Sequence, residues 1–370
     1  MSPSTFEIFL VGTPGLEQPL AEEARALGFA QVHLIPGGVT IAGGWPEVWR
    51  ANLSLRGATR ILVRIAEFRA MHPAQLDKRS RKIDWASVLR PDVPVKVEAT
   101  SRKSRIYHAG AAASRVERAI SEELGAPIAD QADVVVKVRL DDDLCTISVD
   151  TSGPSLHKRG HKEAVNKAPM RETMAAMFLR ECGYSGNESV YDPMCGSGTF
   201  VIEAAEIALD LHPGRSRSFA FEQLASFDAD AWNHMRTAHK GTSCDLLFHG
   251  SDRDAGAISM SEANAASAGV SDITRFSCKP ISEIIPPDGP PGLVIVNPPY
   301  GGRIGQKNML YGLYAALGER LRNQFSGWRV GVITTDTGLA KVTNLPFEPI
   351  GPVVAHGGLK IRLWKTGPLK

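Results

Sequence analysis

The stretch VIVNPPYGG, Val294 to Gly302, sets three β-branched apolar residues against an abrupt run of one asparagine, two prolines, a tyrosine and two glycines. Its first half reads as a buried strand. Its second half can neither extend that strand nor begin a helix there, because each proline fixes φ, removes an N–H and biases the residue before it toward extended geometry. A core strand ending in hydrogen-bond acceptors beside a flat ring puts chemistry at a sheet edge.

Working outward, the flanking sequence alternates strand and helix: SVYD, TFVIEAAEIALDL, LLFHGSD, AGAISMSEANAASAG, TRFSC, GLVIVN, NMLYGLYAALGERLRNQF, WRVGVITT and LKIRLW. Such alternation predicts an α/β fold with a parallel, doubly wound sheet, whose ligands sit at the carboxyl ends of its strands. Residues 212–244 interrupt the alternation and read as an insertion. Up to about residue 155 the pattern is α+β instead: FEIFLVG, the helix-like EQPLAEEARALG and TRILVRIAEF, then PVKVEATS and DVVVKVRLDDDLCTISVD around the helix AGAAASRVERAISEELG.

With 370 residues the chain can build two or three cores, and 43% apolar against 22% charged residues is the balance of a globular protein rather than a disordered or membrane-spanning one. The start MSPSTFEIFLVGTPG lacks a signal-peptide pattern, so the expected location is cytoplasmic. Five cysteines without a CxxC spacing suggest neither a disulfide framework nor a metal site, and no metal is expected. Net charge is only +2, but it is uneven. From Lys78 to Arg118 eleven Lys or Arg face four acids, and in LHKRGHKEAVNKAPMR, 156–171, five face the single Glu163. This distribution points to a polyanion surface, and the density of Arg102, Lys103 and Arg105 beside Tyr107 favours RNA contact.

DPMCGSGTF, Asp192 to Phe200, follows a strand and leads into an amphipathic helix. Gly196 and Gly198 permit a tight turn, and the helix N-terminus offers N–H groups and a positive dipole end to an anionic group. Asp252, ending LLFHGSD, can accept from ribose hydroxyls, with Asp254 a second candidate. Together they predict an adenosine-bearing cofactor without choosing between NAD and S-adenosylmethionine. NPPY chooses. The Asn297 side-chain carbonyl and rigid backbone carbonyls, beside the Tyr300 ring, suit a planar heterocycle with an exocyclic amine. Accepting both amine hydrogens frees its lone pair for attack on a sulfonium methyl. Met170, Met174 and Met177 fall at helical spacing and read as a core stripe. Cys195 has nothing nearby to activate it and reads as packing, and His157 and His161 as solvated residues.

DPMCGSGTF, GSDRD, NPPYG and ISVDTSGPSLHKRGHK together resemble the THUMP-domain RNA guanine-N2 methyltransferases, over nearly the whole chain. The resemblance implies a Rossmann-like class I methyltransferase domain preceded by an α+β ferredoxin-like/THUMP region: a ferredoxin-like unit at 1–70, a THUMP RNA-binding domain at 71–158 and the methyltransferase at 159–370. It implies that S-adenosyl-L-methionine lies against Asp192, Pro193, Met194, Cys195, Gly196, Ser197, Gly198 and Thr199, with Asp252 and Arg253 at its ribose. It implies further that Asn297 and Pro298 accept from the target amine, with Pro299 holding the turn, and that Tyr300 stacks on the base. Structured ribosomal or transfer RNA is the implied partner, held by Arg102, Lys103, Arg105, Lys158 and Arg159, with no membrane and no obligate protein partner. Two positions depart from the family pattern: Pro280 stands where an acid usually meets the adenine amine, and Gly302 follows NPPYG in place of an acid. An adenine-N6 methyltransferase, which shares NPPY, and a catalytically weak RNA-binding assembly factor are the alternatives.

Overall fold

The computed structural model describes residues 5–160, 170–300 and 307–370. Its contacts divide the chain into two compact units, one of Met1–Gly12, Ala21–Leu156 and Arg217–His239, the other of Thr13–Leu20, His157–Ser216 and Lys240–Lys370.

The first unit is built on one seven-stranded sheet: β1 Phe6–Val11, β2 Ala30–Ile35, β3 Gly38–Gly43, β4 Arg60–Arg69, β5 Val95–Arg102, β6 Val134–Asp141 and β7 Leu144–Asp150. Their order is β2-β3-β1-β4-β7-β6-β5. The first four strands, with helices Glu17–Ala26 and Trp45–Ser54, form a ferredoxin-like βαββαβ arrangement. β4 is the seam. Arg60–Val63 pair with β1 on one side, while Leu62–Arg69 pair with β7 on the other, past a bulge between Arg64 and Ala66. Alternation in RILVRIAEFR buries Ile61 and Val63 and leaves the intervening positions more exposed. The β6–β7 hairpin closes on Asp142 and Asp143, both at positive φ, as a tight two-residue turn requires.

The stretch read as an insertion belongs, from Arg217 to His239, to this first unit. Phe219, Phe221 and Trp232 are buried, with Phe221 4.9 Å from the Trp232 ring and 6.1 Å from Trp49. The Phe221 N–H donates to the Thr151 carbonyl at 3.0 Å and that of Ala225 to Val88 at 3.0 Å. Thr151 and Ser152 are themselves buried. Asn52 donates to Thr151 Oγ1 at 2.9 Å and accepts from Ser152 Oγ at 2.6 Å, while Ile61 N–H reaches Ser152 Oγ at 2.8 Å. Part of the motif that carries the resemblance is therefore structural.

The second unit holds β8 Val190–Asp192, β9 Phe248–Asp252, β10 Thr274–Cys278, β11 Leu293–Val296, β12 Arg329–Thr334, β13 Val354–His356 and β14 Leu359–Lys365, in the order β10-β9-β8-β11-β12-β14-β13. Neighbours run parallel except β14, which is antiparallel to β12 and β13. The chain moves outward from β8 to β10 and returns on the other side at β11, so the order reverses between β8 and β11. Ligands bind beside such a reversal. Val294, Ile295 and Val296 are fully buried, each contributing about 1.5–3 kcal/mol through the apolar area removed from water. Met170, Met174 and Met177 are buried, as their spacing predicts. Among the described residues no helix is long and apolar enough to cross a membrane.

Candidate active site

The loop after β8 is held from beneath. The Cys195 N–H donates to the Ser251 carbonyl on β9 at 2.9 Å, Gly198 N–H to the Cys195 carbonyl at 2.8 Å, Ser261 Oγ to the Gly196 carbonyl at 2.9 Å and Asn264 Nδ2 to the Ser197 carbonyl at 3.0 Å. Gly198 has φ +83° and precedes helix Thr199–Ala208. A Cβ there would lie 3.1 Å from Ser261 Oγ, so only glycine fits without strain. Ser261 and Asn264, buried polar residues on helix Ala255–Ala268, were not singled out by the sequence. Their only signal there is a polar pair at i, i+3 in an otherwise small-residue helix.

Two carboxylates flank this loop. The Asp192 side chain is 2% exposed and accepts from Met194 N–H at 3.0 Å, while Asp252 accepts from Gly196 N–H at 3.1 Å and from Asp254 N–H at 3.0 Å. Burial pushes the Asp192 carboxyl up to about 8; the Met194 hydrogen bond opposes the rise and the nearby Asp252 charge adds to it. Burial also pushes the Cys195 thiol up, which removes it as a nucleophile and agrees with the packing reading. Asp254 caps the next helix by accepting from Gly256 N–H at 2.9 Å. Arg253 is exposed beside Asp252.

One strand across, β11 delivers NPPY. Pro298 is buried, and Asn297, Pro299 and Tyr300 are half-buried. Asn297 Oδ1 is buried and has no hydrogen-bond partner among the described residues. Leaving a buried acceptor unmatched costs about 1–3 kcal/mol, so natural chains keep one chiefly where a ligand completes it. Tyr300 packs against the core cluster that contains Tyr314 and Leu339, and burial raises its phenol to about 12. A glycine loop leading into a helix N-terminus, the carboxyl groups of Asp192 and Asp252 against that loop and an unmatched acceptor next to a ring together fit an adenosine cofactor bearing an ammonium group, beside a planar amine.

The strand end that departs from the family pattern carries no carboxylate: Lys279 N–H donates to the Asp252 carbonyl at 2.9 Å, and Pro280 starts the turn Ile281–Glu283. Gly302 lies outside the described residues, as does His161.

The basic surface needs correction. Arg81 pairs with Asp77, Glu122 and Glu123, Arg118 with Asp77, Arg90 with Asp92 and Lys96 with Glu98. Three of those acids stand just outside the Lys78–Arg118 window, so the local excess of positive charge is smaller than the window suggests. Arg102, Lys103 and Arg105 are exposed, beside Tyr107 at 84% exposure, but they share the loop with the Asp141–Asp143 turn. Arg105 lies 3.7 Å from Asp143, and Asp142 N–H donates to the Arg102 carbonyl. Lys158 is exposed. Arg159 is not: it is 1% exposed and pairs at 3.1 Å with Glu203, itself 1% exposed, on helix Thr199–Ala208. A guanidinium committed inside the fold cannot meet a phosphate, so Arg159 leaves the RNA-binding set. Neighbouring His157 is half-buried, and burial lowers its pKa despite Glu172.

Comparison with known proteins supplies the context for this geometry. Residues 159–346 match the RMKL-like methyltransferase domain, 7–62 the RlmL ferredoxin-like domain and 73–150 the THUMP domain. A Synechocystis sp. protein named as an RNA methyltransferase is 32% identical over 98% of this chain and 97% of its own. The ribosomal RNA large subunit methyltransferase K/L of Syntrophotalea carbinolica is 35% identical over 96% of this chain, which spans only 53% of that relative's length. The crystal structure of SMU.472 complexed with S-adenosylhomocysteine superposes with a TM-score of 0.90 at 26% identity, covering 100% of both chains. With its ferredoxin-like and THUMP parts ahead of a Rossmann-like domain, the chain belongs to the RMKL-like family of class I, S-adenosylmethionine-dependent RNA methyltransferases.

Proposed function

We propose that the protein methylates N2 of a guanine in structured RNA, with ribosomal RNA of the large subunit the first substrate to test, and that it works in the cytoplasm. The observation that carries this reading is the buried, unmatched Asn297 Oδ1 at the end of β11. Bound S-adenosylmethionine supplies an electrophilic methyl on a sulfonium. The chain's part is to hold the amine. Asn297 Oδ1 and the Pro298 carbonyl accept its two hydrogens, which draws the nitrogen toward a pyramidal geometry and withdraws its lone pair from conjugation with the ring. Tyr300 holds the base flat. With the cofactor held there, the methyl would pass to the amine nitrogen, S-adenosylhomocysteine would be the leaving product, and the surplus amine proton would go to solvent water, giving neutral N2-methylguanine. The loop Asp192 to Thr199 and the carboxylate of Asp252 hold the cofactor, Arg253 flanks its ribose, and the rigid turn at Pro299 fixes the acceptors in place. The functional division at about residues 70 and 158 is part of the same proposal. The test is incubation with labelled cofactor and total ribosomal and transfer RNA from cells lacking the gene, followed by digestion to nucleosides and mapping. Label in N2-methylguanosine supports the assignment, whereas label confined to N6-methyladenosine rejects it.

Asp192 gives a pH test that needs no turnover. The native carboxyl holds its proton up to about 8, whereas the unfolded one releases it near 3.8. Between those values the native state binds one proton more, so this residue makes stability fall as pH rises, by about 1.4 kcal/mol per pH unit. In Asp192→Asn that component of the slope should vanish in denaturation curves taken from pH 5 to 8. Cofactor binding, which needs the carboxylate for the ammonium, should release a proton below pH 8 in the parent and not in the variant. Equal slopes in both proteins would reject this role.

For RNA, replacing Arg102, Lys103 and Arg105 by Ala should lower the slope of log affinity against log salt by about 2, since each phosphate contact releases counterions. Cofactor affinity should stay constant. An unchanged slope moves the RNA surface elsewhere.

A further inference from the structure

The loop after β12 carries a carboxylate that caps a short helix and lies outside the cofactor loop. β12 is the parallel neighbour of β11, with Val332 opposite Val296, so the residues following each strand emerge at the same sheet edge. There Asp336 is half-buried. One of its oxygens accepts from Gly338 N–H at 2.7 Å, and among the described residues no cation pairs with it. Three observations tie its segment to the one that carries and follows NPPY. Tyr314, fully buried, donates to Thr334 Oγ1 at 3.2 Å, two residues before Asp336. A Cβ on Gly338 would collide with Tyr311 Oη and lie 3.1 Å from Asp336 Oδ1, which puts Asp336 next to the helix that follows NPPY. Tyr300 and Tyr311 pack on one core cluster, together with Leu339 and Ala340 of the segment that Asp336 caps.

We propose that Asp336 selects guanine at the methylated position by accepting its N1–H, an inference that rests on the guanine-N2 reading above. A base turned into a pocket is read along its Watson–Crick edge. Guanine presents N1–H beside the amine, a donor facing a carboxylate. Adenine presents a bare N1 beside its amine, a lone pair facing a negative charge. A site holding a hydrogen-bond acceptor there disfavours the wrong edge, because a lone pair then faces a lone pair and the acceptor gains no donor from the base. Asp336 thus adds to NPPY what NPPY lacks, since the motif itself accepts any exocyclic amine.

The test uses an RNA fragment spanning the guanosine mapped in the assay above, made once with guanosine and once with 2-aminopurine ribonucleoside there. 2-Aminopurine keeps the reacting amine but has an unprotonated N1. The parent should methylate the guanosine RNA faster, and Asp336→Asn should lose about 10–100-fold on it in single-turnover kcat/KM, the value of a charge-assisted hydrogen bond. The same variant should gain on the 2-aminopurine RNA, because its amide can donate to N1. Asparagine also caps a helix, so the melting temperature should hold. An equal guanosine to 2-aminopurine ratio in parent and variant overturns the role of Asp336 while leaving the guanine assignment standing. A parent that methylates neither RNA overturns the guanine assignment and this inference with it.

Discussion

Asn297→Ala is expected to lower the single-turnover rate of methyl transfer by about 10²–10³-fold, the cost of deleting one preorganised group around a developing charge. The buried Oδ1 is unmatched until an amine arrives, and its interaction strengthens as positive charge grows on the nitrogen. The loss should therefore fall on kcat more than on KM. Removing an acceptor that had no partner also removes a small burden on the free protein, so stability should be kept or slightly raised. Asn297→Asp retains acceptors and adds charge, and partial activity should survive. Cofactor and RNA affinities measured separately for each variant isolate the chemical step. An alanine enzyme within a few-fold of the parent at saturating RNA and cofactor would reduce NPPY to a turn.

Arg159→Met should destabilise the protein by about 3–5 kcal/mol, the usual cost of removing one partner of a buried ion pair. The double variant Arg159→Met, Glu203→Leu should regain most of that loss, since apolar residues of similar volume replace a buried pair with little net cost. Chemical denaturation measures the sum, and amide exchange along helix Thr199–Ala208 shows whether the damage centres there. At salt concentrations where both are folded, the double variant should keep the parent's RNA salt slope. A shallower slope with unchanged stability would return Arg159 to the RNA surface.

The second sheet was legible because most of its strands are short apolar runs closed by glycine, aspartate or proline, and the alternation gives its parallel part, whereas LKIRLW, expected in the parallel set, runs antiparallel as β14. GLVIVN, LLFHGSD and TRFSC all appear as strands where the pattern puts them. β2 and β3 were not read. AQVHLI is mostly exposed and its partner GVTIAG is small and glycine-flanked, so neither shows a clear period of two. The three-residue β13 is too short to carry a pattern. Within the site, the residues of the glycine loop and NPPY were visible as backbone devices, which local sequence encodes. Ser261, Asn264 and the Arg159–Glu203 pair were invisible because each acts on a residue at least 40 positions away. The basic band misled for a related reason: Asp77, Glu122 and Glu123 pair with arginines from neighbouring turns, and a window cut between them leaves those three acids out.

The seam at β4 and the borrowed aromatic segment at 217–239 bear on heredity rather than on chemistry. A gene cut after residue 70 would leave β4 with an open edge where Leu62–Arg69 now pair with β7, an invitation to aggregate. A gene encoding only residues 157–370 would carry Phe219, Phe221 and Trp232 without Trp49, an aromatic patch bared to water. Recombination at either point is expected to give fragments prone to aggregate. Ordinary sheet pairing and ring packing thus favour passing on the segments at 1–70, 71–156 and 217–239 as one piece.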